Sequence, residues 1–367
     1  MINSITETLL MGPGPSNVTE SVRAAMARPT IGHLDPRFIA IMDEVKEMLR
    51  TAFETTNALT MPLSGTGSAG MEAGFVNVIE PGDRVLVLVN GVFGKRMVDV
   101  AGRLGAKVTE VEFTWGGPVE PGRVAEALDR DTFDLLAVVH AETSTGVRNP
   151  VDEIAALLCG RETLLLVDTV TSLGGIPVTV DAWKADVVYS GTQKCLSCPP
   201  GLAPFTLSDR ARERLGRRSR PVPNWYLDVS LLTSYWEGAK RSYHHTAPIN
   251  MIYGLHQALR NLLDEGLTAS HARHRRVHER LASGLDKLGL EIFVAPEYRL
   301  PMLNAVTVPD GVDEAEVRSR LLKEHDIEIG AGLGPLAGKI WRVGLMGETA
   351  RNETVERFLV ALEAVMQ

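Results

Sequence analysis

The stretch Val187-Val188-Tyr189-Ser190-Gly191-Thr192-Gln193-Lys194 joins a short apolar run to a turn of small residues that ends in a lysine. A second apolar run, Leu164 to Val167, ends in Asp168. Similar runs cover Val85 to Val89 and Leu135 to Val139. Runs without polar alternation are typical of parallel strands that helices cover on both faces. The sequence therefore predicts an α/β domain with a mostly parallel sheet, and it predicts that the lysine is exposed on the turn.

The chain is too long, at 367 residues, for one ordinary core, so we expect two domains. The prolines and glycines of Met11-Gly12-Pro13-Gly14-Pro15 exclude a helix or a central strand there. Apolar residues at helical spacing predict a helix from Phe38 to Phe53. Later the rhythm changes to a long helix from about Ser270 to Leu288, a strand at Leu303 to Val308 and a helix from Val312 to His325. The predicted parts are an N-terminal arm over residues 1–20, a large domain over residues 21–265 and a small α+β domain over residues 266–367.

Composition and charge narrow the class of protein. The apolar fraction of 44%, the charged fraction of 23% and the net charge of −8 are those of a soluble globular protein and argue against a nucleic-acid binder. No apolar run approaches the ~18 residues of a membrane span, and the first residues lack the pattern of a signal peptide. Cys159, Cys195 and Cys198 cannot form a disulfide framework, so we expect a cytoplasmic protein.

Polar residues follow three of the predicted strands at the point where each strand ends: His140-Ala141-Glu142-Thr143-Ser144, Asp168-Thr169-Val170, and Ser190 through Lys194. One such end is an ordinary cap or turn, but the carboxyl ends of parallel strands meet at one edge, where ligands bind. A lysine amine can form an imine with an aldehyde, and a carboxylate can keep a pyridine nitrogen protonated so that the ring withdraws electrons. Together, Lys194 and Asp168 suggest pyridoxal phosphate (PLP).

Ser64-Gly65-Thr66-Gly67-Ser68-Ala69-Gly70 opens a helix in a way that suits a phosphate, because glycines allow close approach and a helix start presents free N–H groups. The three glycines also match the dinucleotide fingerprint, so a nicotinamide-dependent dehydrogenase is an alternative. That motif requires a clear strand before it and an acidic residue at the end of the next strand. Here the preceding Ala58 to Leu63 is a weak strand that contains Pro62, and the next strand ends at Asn90.

Two short motifs could indicate a metal. Cys195-Leu196-Ser197-Cys198 is a C-x-x-C, and His244 and His245 are adjacent. Neither has the further ligands of a structural zinc site, and adjacent side chains usually point in different directions. We therefore predict no metal, and we interpret Cys195 and Cys198 as small buried residues, although Cys195 beside Lys194 raises the hypothesis of a thiol-sensitive enzyme.

Arg342 lies inside the apolar, strand-like segment Ile340-Trp341-Arg342-Val343-Gly344. A buried arginine is costly unless it meets an anion, and its planar fork suits a carboxylate in bidentate geometry. The partner can be an internal Asp or Glu, or the carboxylate of a substrate.

Taken together, these features make the chain resemble the class V, fold-type I aminotransferases, most closely the alanine:glyoxylate and serine:pyruvate aminotransferase family. The resemblance runs over nearly the whole chain, and the order and joint presence of its segments are specific. The segments are Gly12-Pro13-Gly14-Pro15-Ser16-Asn17, Ser64-Gly65-Thr66-Gly67, Met71-Glu72-Ala73, Glu80-Pro81-Gly82-Asp83, Ser144-Thr145-Gly146-Val147, Ser172-Leu173-Gly174-Gly175, Tyr189 through Lys194, Pro199-Pro200-Gly201, Tyr243-His244-His245-Thr246 and Gly332-Leu333-Gly334-Pro335.

The resemblance implies a PLP-dependent transferase of fold type I, with a seven-stranded, mostly parallel sheet, acting as a homodimer. Lys194 would hold PLP as an imine and act as general base, Asp168 would bind the pyridine nitrogen, and Arg342 would clamp the substrate carboxylate. The other implied contacts are Phe93, Thr143 and Val170 beside the ring, Thr66, Gly67, Ser68 and Gln193 at the phosphate, Tyr243 and Thr246 at the phosphate from the partner subunit, and Gly14 in the substrate pocket.

Two departures leave the substrate open: Phe93 stands where the family often has tryptophan or tyrosine, and Ser68 where it often has histidine.

The implied reaction is a ping-pong amino-group transfer from alanine or serine to glyoxylate or pyruvate. Serine:glyoxylate and ureidoglycine:glyoxylate transfer are alternatives, whereas cysteine desulfurases need a late cysteine and none follows Cys198. A binding-only homologue is disfavoured because the lysine, the aspartate and the arginine are all present.

Overall fold

A computed structural model describes residues 5–238 and 241–366 of the chain. Its strands are β1 (Leu9–Leu10), β2 (Leu59–Ser64), β3 (Arg84–Val89), β4 (Lys107–Glu112), β5 (Leu135–Val139), β6 (Ala141–Glu142), β7 (Val147–Arg148), β8 (Leu164–Asp168), β9 (Val187–Tyr189), β10 (Leu202–Leu207), β11 (Leu303–Thr307), β12 (Ile327–Glu328), β13 (Gly330–Ala331) and β14 (Ile340–Gly344). Its helices are α1 (Glu20–Met26), α2 (Pro36–Phe53), α3 (Gly67–Val78), α4 (Val92–Arg103), α5 (Pro121–Arg130), α6 (Val151–Ala156), α7 (Val180–Trp183), α8 (Asp209–Gly216), α9 (Val229–Trp236), α10 (Ile249–Glu265), α11 (Leu267–Lys287), α12 (Glu314–His325) and α13 (Asn352–Met366). Short 3₁₀ helices lie at Pro296–Tyr298, Gly334–Leu336 and Gly347–Thr349.

The main sheet has seven strands in the order β2-β10-β9-β8-β5-β3-β4. All neighbouring pairs are parallel except the two that β10 makes, with β2 and with β9. Strands β3, β5, β8 and β9 are almost completely buried, as their unbroken apolar runs predict, because helices cover both faces of the sheet. The predicted α/β class, the mostly parallel sheet and the four strands are confirmed.

The segment before the glycine-rich turn corrects one expectation from the sequence. Ala58 to Leu63 was a weak strand candidate, yet β2 is a six-residue strand that pairs with β10 along its whole length. Pro62 lies opposite Pro204 in this pair. The strand tolerates a proline because β2 is at the edge of the sheet, where an N–H is not needed on the outer side.

The C-terminal part has its own small sheet, β11-β14-β13, packed with α11, α12 and α13. Its core is a cluster separate from that of the large sheet, and Met11 of the N-terminal segment belongs to it. The backbone of β1 pairs with β12, so the N-terminal segment is held against this part of the molecule. The division into an arm and two domains, with its limits, remains a prediction. No helix within residues 5–238 and 241–366 is both long and apolar enough to span a membrane.

Strand register brings the polar strand ends together. Val139 of β5 lies opposite Asp168 of β8, and Asp168 lies opposite Tyr189 of β9. The three strands therefore end at the same level, and the residues that follow them share one edge of the sheet. Helix α3 packs closely over this edge because Gly70 leaves no side chain, since a Cβ there would lie 3.0 Å from the Cβ of Tyr189.

Candidate active site

A cavity of about 150 Å³ opens at this edge of the sheet. Strand ends from the large sheet, the start of α3 and the first turns of α4 form its walls. Eight of the thirteen residues predicted for the site line it: Gly67, Ser68, Phe93, Thr143, Asp168, Val170, Gln193 and Lys194. Strand register and helix packing thus bring together residues that are as far apart in the sequence as Gly67 and Lys194.

Lys194 lies in the wall of the cavity and is partly buried, so the prediction that it is exposed on the turn is wrong. The turn folds under the N-terminal segment: Ser16 donates its hydroxyl to the carbonyl oxygen of Lys194 at 2.7 Å, and the lysine amine donates to the carbonyl oxygen of Pro13. Burial and then the nearby Arg342 lower the pKa of the Lys194 amine to about 8. A Cβ at Gly14 would lie 2.5 Å from Nζ of Lys194, so only glycine leaves room for the amine.

Asp168 is the buried carboxylate of the cavity. Its Oδ1 accepts a hydrogen bond of 2.8 Å from the N–H of Val170, and its Oδ2 accepts one of 2.8 Å from the hydroxyl of Tyr189. Burial raises the pKa of Asp168 to about 6, while both hydrogen bonds and the Lys194 charge act in the opposite direction. The group is therefore mostly ionised at neutral pH and is oriented by two donors.

The start of helix α3 forms one end of the cavity. Thr66 is the N-cap residue, but its side chain makes no capping hydrogen bond, so the first N–H groups of the helix stay available to a ligand. Gly67 lies against Val170, because a Cβ there would be 2.9 Å from a methyl carbon of that side chain. The side-chain oxygen of Gln193 is buried and has no partner among the described residues.

Two residues near the cavity have an importance that the sequence did not reveal, Arg96 in its wall and Glu142 behind it. Arg96 follows Phe93 by one helical turn on α4, lines the cavity, and places its guanidinium carbon 4.9 Å from the centre of the Phe93 ring. Glu142 is fully buried behind Phe93 and Thr143. The three-residue spacing of Phe93 and Arg96 was a usable signal, since such residues share a helix face; Glu142 carried none beyond its place at a strand end.

Arg342 on β14 of the small sheet is 7% exposed and lies beside the cavity without lining it. Its Nε donates to the carbonyl oxygen of Ala331 at 2.6 Å, and a terminal nitrogen donates to the carbonyl oxygen of Thr143 at 3.4 Å. Burial lowers the pKa of Arg342 to about 10, so the group is still charged at neutral pH, and attraction from Glu142 acts in the opposite direction. No carboxylate within the described ranges forms an ion pair with it, which leaves the guanidinium free for an anion from outside the chain.

Tyr243 and Thr246 do not line this cavity. Both are exposed, and their hydroxyl oxygens are 3.2 Å apart. We expected the side chains of the two histidines between them to point in different directions, and this is wrong. Their Nδ1 atoms are 2.8 Å from each other, and each ring stacks on an aromatic neighbour. Over the described part of the chain, no group of three or more His, Cys, Asp or Glu side chains is placed to hold a metal ion.

The two cysteines after the lysine are buried, as predicted. Cys195 donates to the carbonyl oxygen of Thr171 at 3.2 Å, and neither Cys195 nor Cys198 forms a disulfide. Burial raises the pKa of each thiol to about 12. Both side chains therefore contribute packing beneath the turn that holds Lys194.

The residues of the cavity fit PLP. The Lys194 amine can form an imine with an aldehyde, and the ionised Asp168 can hold a protonated ring nitrogen. The uncapped start of α3 suits a phosphate, since helix N-termini favour anions, and Gln193 in the cavity wall carries a side-chain NH2 group that can donate to one. Phe93 offers a flat apolar face for the ring.

Comparison with known proteins identifies the family. The Aminotransferase class-V family model matches residues 16–351. Alanine–glyoxylate aminotransferase of Drosophila melanogaster is 41% identical over 362 residues, which cover 98% of this chain and 92% of that protein. (S)-Ureidoglycine–glyoxylate transaminase of Bacillus subtilis is 39% identical over 375 residues, which cover 97% and 90%. The crystal structure of alanine–glyoxylate aminotransferase from a Nostoc species superimposes with a TM-score of 0.98 at 51% identity, covering 99% of this chain and 96% of that one.

These similarities extend over both the large sheet and the C-terminal part. The dehydrogenase alternative is therefore wrong, even though a clear strand does precede the glycine-rich turn, and the fingerprint of Gly65, Gly67 and Gly70 instead serves the start of α3 and its packing. The chain belongs to the class V aminotransferases, which are PLP-dependent enzymes of fold type I.

Proposed function

We propose that this enzyme transfers the amino group of alanine or serine to glyoxylate or pyruvate by a ping-pong mechanism. The observation that carries the proposal is Arg342, a buried guanidinium beside the cavity with no ion-pair partner in residues 5–238 and 241–366. A bidentate grip on the α-carboxylate that amino acids and 2-oxo acids share would serve both half-reactions. Relatives named for alanine, ureidoglycine and glyoxylate support this substrate class.

Lys194 would move the proton. Its pKa of about 8 leaves a useful fraction of free amine near neutral pH, so Nζ can take the α-proton of the amino acid as general base and release it in the return step. When bound, PLP would supply the electron-withdrawing ring that stabilises the carbanion. Asp168 would keep the ring nitrogen protonated, because its carboxylate is ionised and held by two hydrogen bonds.

Binding of the cofactor would involve both walls. Phe93 would cover one ring face, with Thr143 and Val170 beside the ring. The phosphate would be bound by residues at the start of α3 and by the side-chain amide of the residue directly before Lys194, namely by Thr66, Gly67, Ser68 and Gln193. Gly14 would border the substrate, and its closeness to the Lys194 amine supports this role.

We also propose a homodimer in which Tyr243 and Thr246 reach the phosphate of the partner subunit. Support comes from the exposed position of both residues, away from the cavity of their own chain. Trp225, Tyr226 and Tyr243 expose 59%, 42% and 56% of their surfaces in one region of the chain, and large exposed aromatic side chains mark contact surfaces.

Mixing two inactive variants tests this arrangement. A dimer of Lys194→Ala with a Tyr243→Phe/Thr246→Val double variant would contain one cavity with every functional group intact. Activity should rise when the two are refolded together or co-expressed. If the two variants carry different affinity tags and co-purify as a heterodimer that has no activity, the shared site is rejected.

Ureidoglycine:glyoxylate transfer is the second candidate, favoured by the identity to the Bacillus subtilis relative and the TM-score of 0.97 with its crystal structure. A donor screen separates the candidates. Purified holoenzyme is incubated with alanine, serine, aspartate or ureidoglycine and with glyoxylate or pyruvate, and product formation is followed. We expect the highest kcat/KM with alanine or serine and glyoxylate, and a clear preference for ureidoglycine would replace the first proposal with the second.

We place the enzyme in the cytoplasm as part of the same proposal. Support comes from its three cysteines, all free of disulfides, which suit a reducing compartment. Fractionation of cells that express the chain at its natural level tests this placement.

A further inference from the structure

Glu142 is a fully buried carboxylate beside the cavity that the proposed chemistry does not use. It ends the short strand β6, directly before Thr143, which lines the cavity. A buried carboxylate is costly unless donors surround it, so its contacts indicate what it holds in place.

Four donors converge on Glu142. Its Oε1 accepts from the N–H of Ser144 at 3.0 Å and from the Ser144 hydroxyl at 2.6 Å. Its Oε2 accepts from the N–H groups of Phe93 at 3.1 Å and Gly94 at 3.3 Å. The Ser144 hydroxyl oxygen in turn accepts from the N–H of Val92 at 2.9 Å. The first three residues of α4 thus donate to this pair of side chains.

This contact replaces a helix cap that the chain lacks locally. The N-cap residue of α4 is Gly91, which has no side chain to accept these hydrogen bonds. A Cβ at Gly91 would lie 2.4 Å from the carboxyl carbon of Glu142, so the glycine is what allows the carboxylate to approach. A negative charge at a helix N-terminus is also favourable with respect to the helix dipole.

Helix α4 connects Glu142 to the cavity. Phe93 is the second residue of α4, and its backbone N–H donates to Glu142. The position of its ring in the cavity wall therefore depends on the carboxylate. On the other side, the carbonyl oxygen of Thr143 accepts from Arg342, so the segment that anchors Phe93 also contacts the guanidinium.

We propose that Glu142 is a positioning residue: through the N-terminus of α4 it holds the Phe93 ring against the site of the cofactor ring. The inference rests on the proposed role of Phe93 as the stacking surface. Glu142 does not touch the cofactor or the substrate, and it acts on the reaction only through the residues that it orients.

A double-mutant cycle on the holoenzyme tests the proposal without using turnover. The variants are Glu142→Gln, Phe93→Leu and the two combined. The first readout is the dissociation constant of PLP, from loss of the visible absorption band on dilution. The second is the circular dichroism of that band, which reports how the ring is held. Glu110→Gln is the matched control, because Glu110 also contacts α4 through Lys95 but does so at the surface.

We expect Glu142→Gln to raise the dissociation constant at least tenfold and to change the dichroism, and Glu110→Gln to stay within twofold of the unchanged enzyme. In the Phe93→Leu background, Glu142→Gln should add less than a threefold effect, because the ring that it positions is gone. Fully multiplicative effects, or an unchanged constant and dichroism in Glu142→Gln, would overturn the inference.

A second route covers the case in which Glu142→Gln yields no soluble protein. Ser144→Ala removes one donor to the same carboxylate and the acceptor for Val92, and it enters the same cycle with an expected effect of about three- to fivefold. If PLP binds and the wild-type enzyme transaminates while these couplings are absent, only the positioning role fails. If no amino donor reacts, the proposed function fails, and the couplings can still be measured.

Discussion

The hydroxyl of Tyr189 donates a hydrogen bond of 2.8 Å to Asp168 Oδ2, and the two residues are register partners on β9 and β8. The other oxygen of Asp168 accepts from the N–H of Val170. Both bonds favour the ionised carboxylate, whereas burial raises its pKa to about 6. Since β9 leads into the turn that ends at Lys194, one strand both tunes the acid and carries the lysine.

Replacement of Tyr189 by phenylalanine should raise the pKa of Asp168 further. A hydrogen bond to a charged group contributes about 1.5–3 kcal/mol, and a loss at the lower end of this range raises the pKa of the carboxyl group by about one unit. Because the ionised carboxylate is the active form, the acid limb of the kcat/KM profile should move to higher pH by about one unit, with the alkaline limb unchanged. Tyr253→Phe, a buried tyrosine on α10, is the control. An acid limb that stays in place would show that the hydroxyl does not tune the carboxylate.

Lys194→Ala should reduce turnover at least about 10³-fold, within the range for loss of a general acid–base group. Borohydride treatment of the wild-type holoenzyme should fix the cofactor on the peptide that contains Lys194, and the variant should release it. Lys287→Ala, an exposed lysine near the end of α11, should behave as wild type in both assays. Near-normal turnover in Lys194→Ala would remove this amine from the mechanism.

Arg342→Lys should raise KM for the amino acid and the oxo acid more than it lowers kcat. A lysine cannot reproduce the bidentate fork, and a loss of about 2–3 kcal/mol corresponds to roughly 30- to 150-fold. Steady-state kinetics with both substrates give KM and kcat for the variant and the wild type. The control is Lys339→Gln, at an exposed lysine just before β14. Equal KM values in Arg342→Lys and wild type would place the carboxylate elsewhere.

The sequence predicts the large sheet well because β3, β5, β8 and β9 are covered on both faces, and such strands leave an unbroken apolar run. The site was predictable for the same reason, since the ends of parallel strands meet at one edge. β2 was not, because Pro62 argues against a strand unless the strand lies at the edge, and edge position is a property of the whole sheet.

Glu142 was missed for a different reason. The importance of Glu142 arises only when α4 brings the N–H groups of Phe93 and Gly94 to it from 48 or more positions away. Local sequence patterns do not encode such a contact. Likewise, the predicted separation of His244 and His245 fails because aromatic neighbours stack on both rings and turn them toward each other.

Alkylation of the native enzyme should distinguish its cysteines. Cys159 is exposed, whereas Cys195 and Cys198 are buried and burial raises the pKa of both thiols to about 12, so at pH 8 neither presents a reactive thiolate. Iodoacetamide should therefore label Cys159 alone, as read by peptide mass spectrometry, with activity retained. Cys159→Ala should take up no label, and all remaining thiols should react after unfolding in urea. Labelling of native Cys195 with parallel loss of activity would instead establish the thiol-sensitive enzyme that its position beside Lys194 suggested, and would mean that the turn opens in solution.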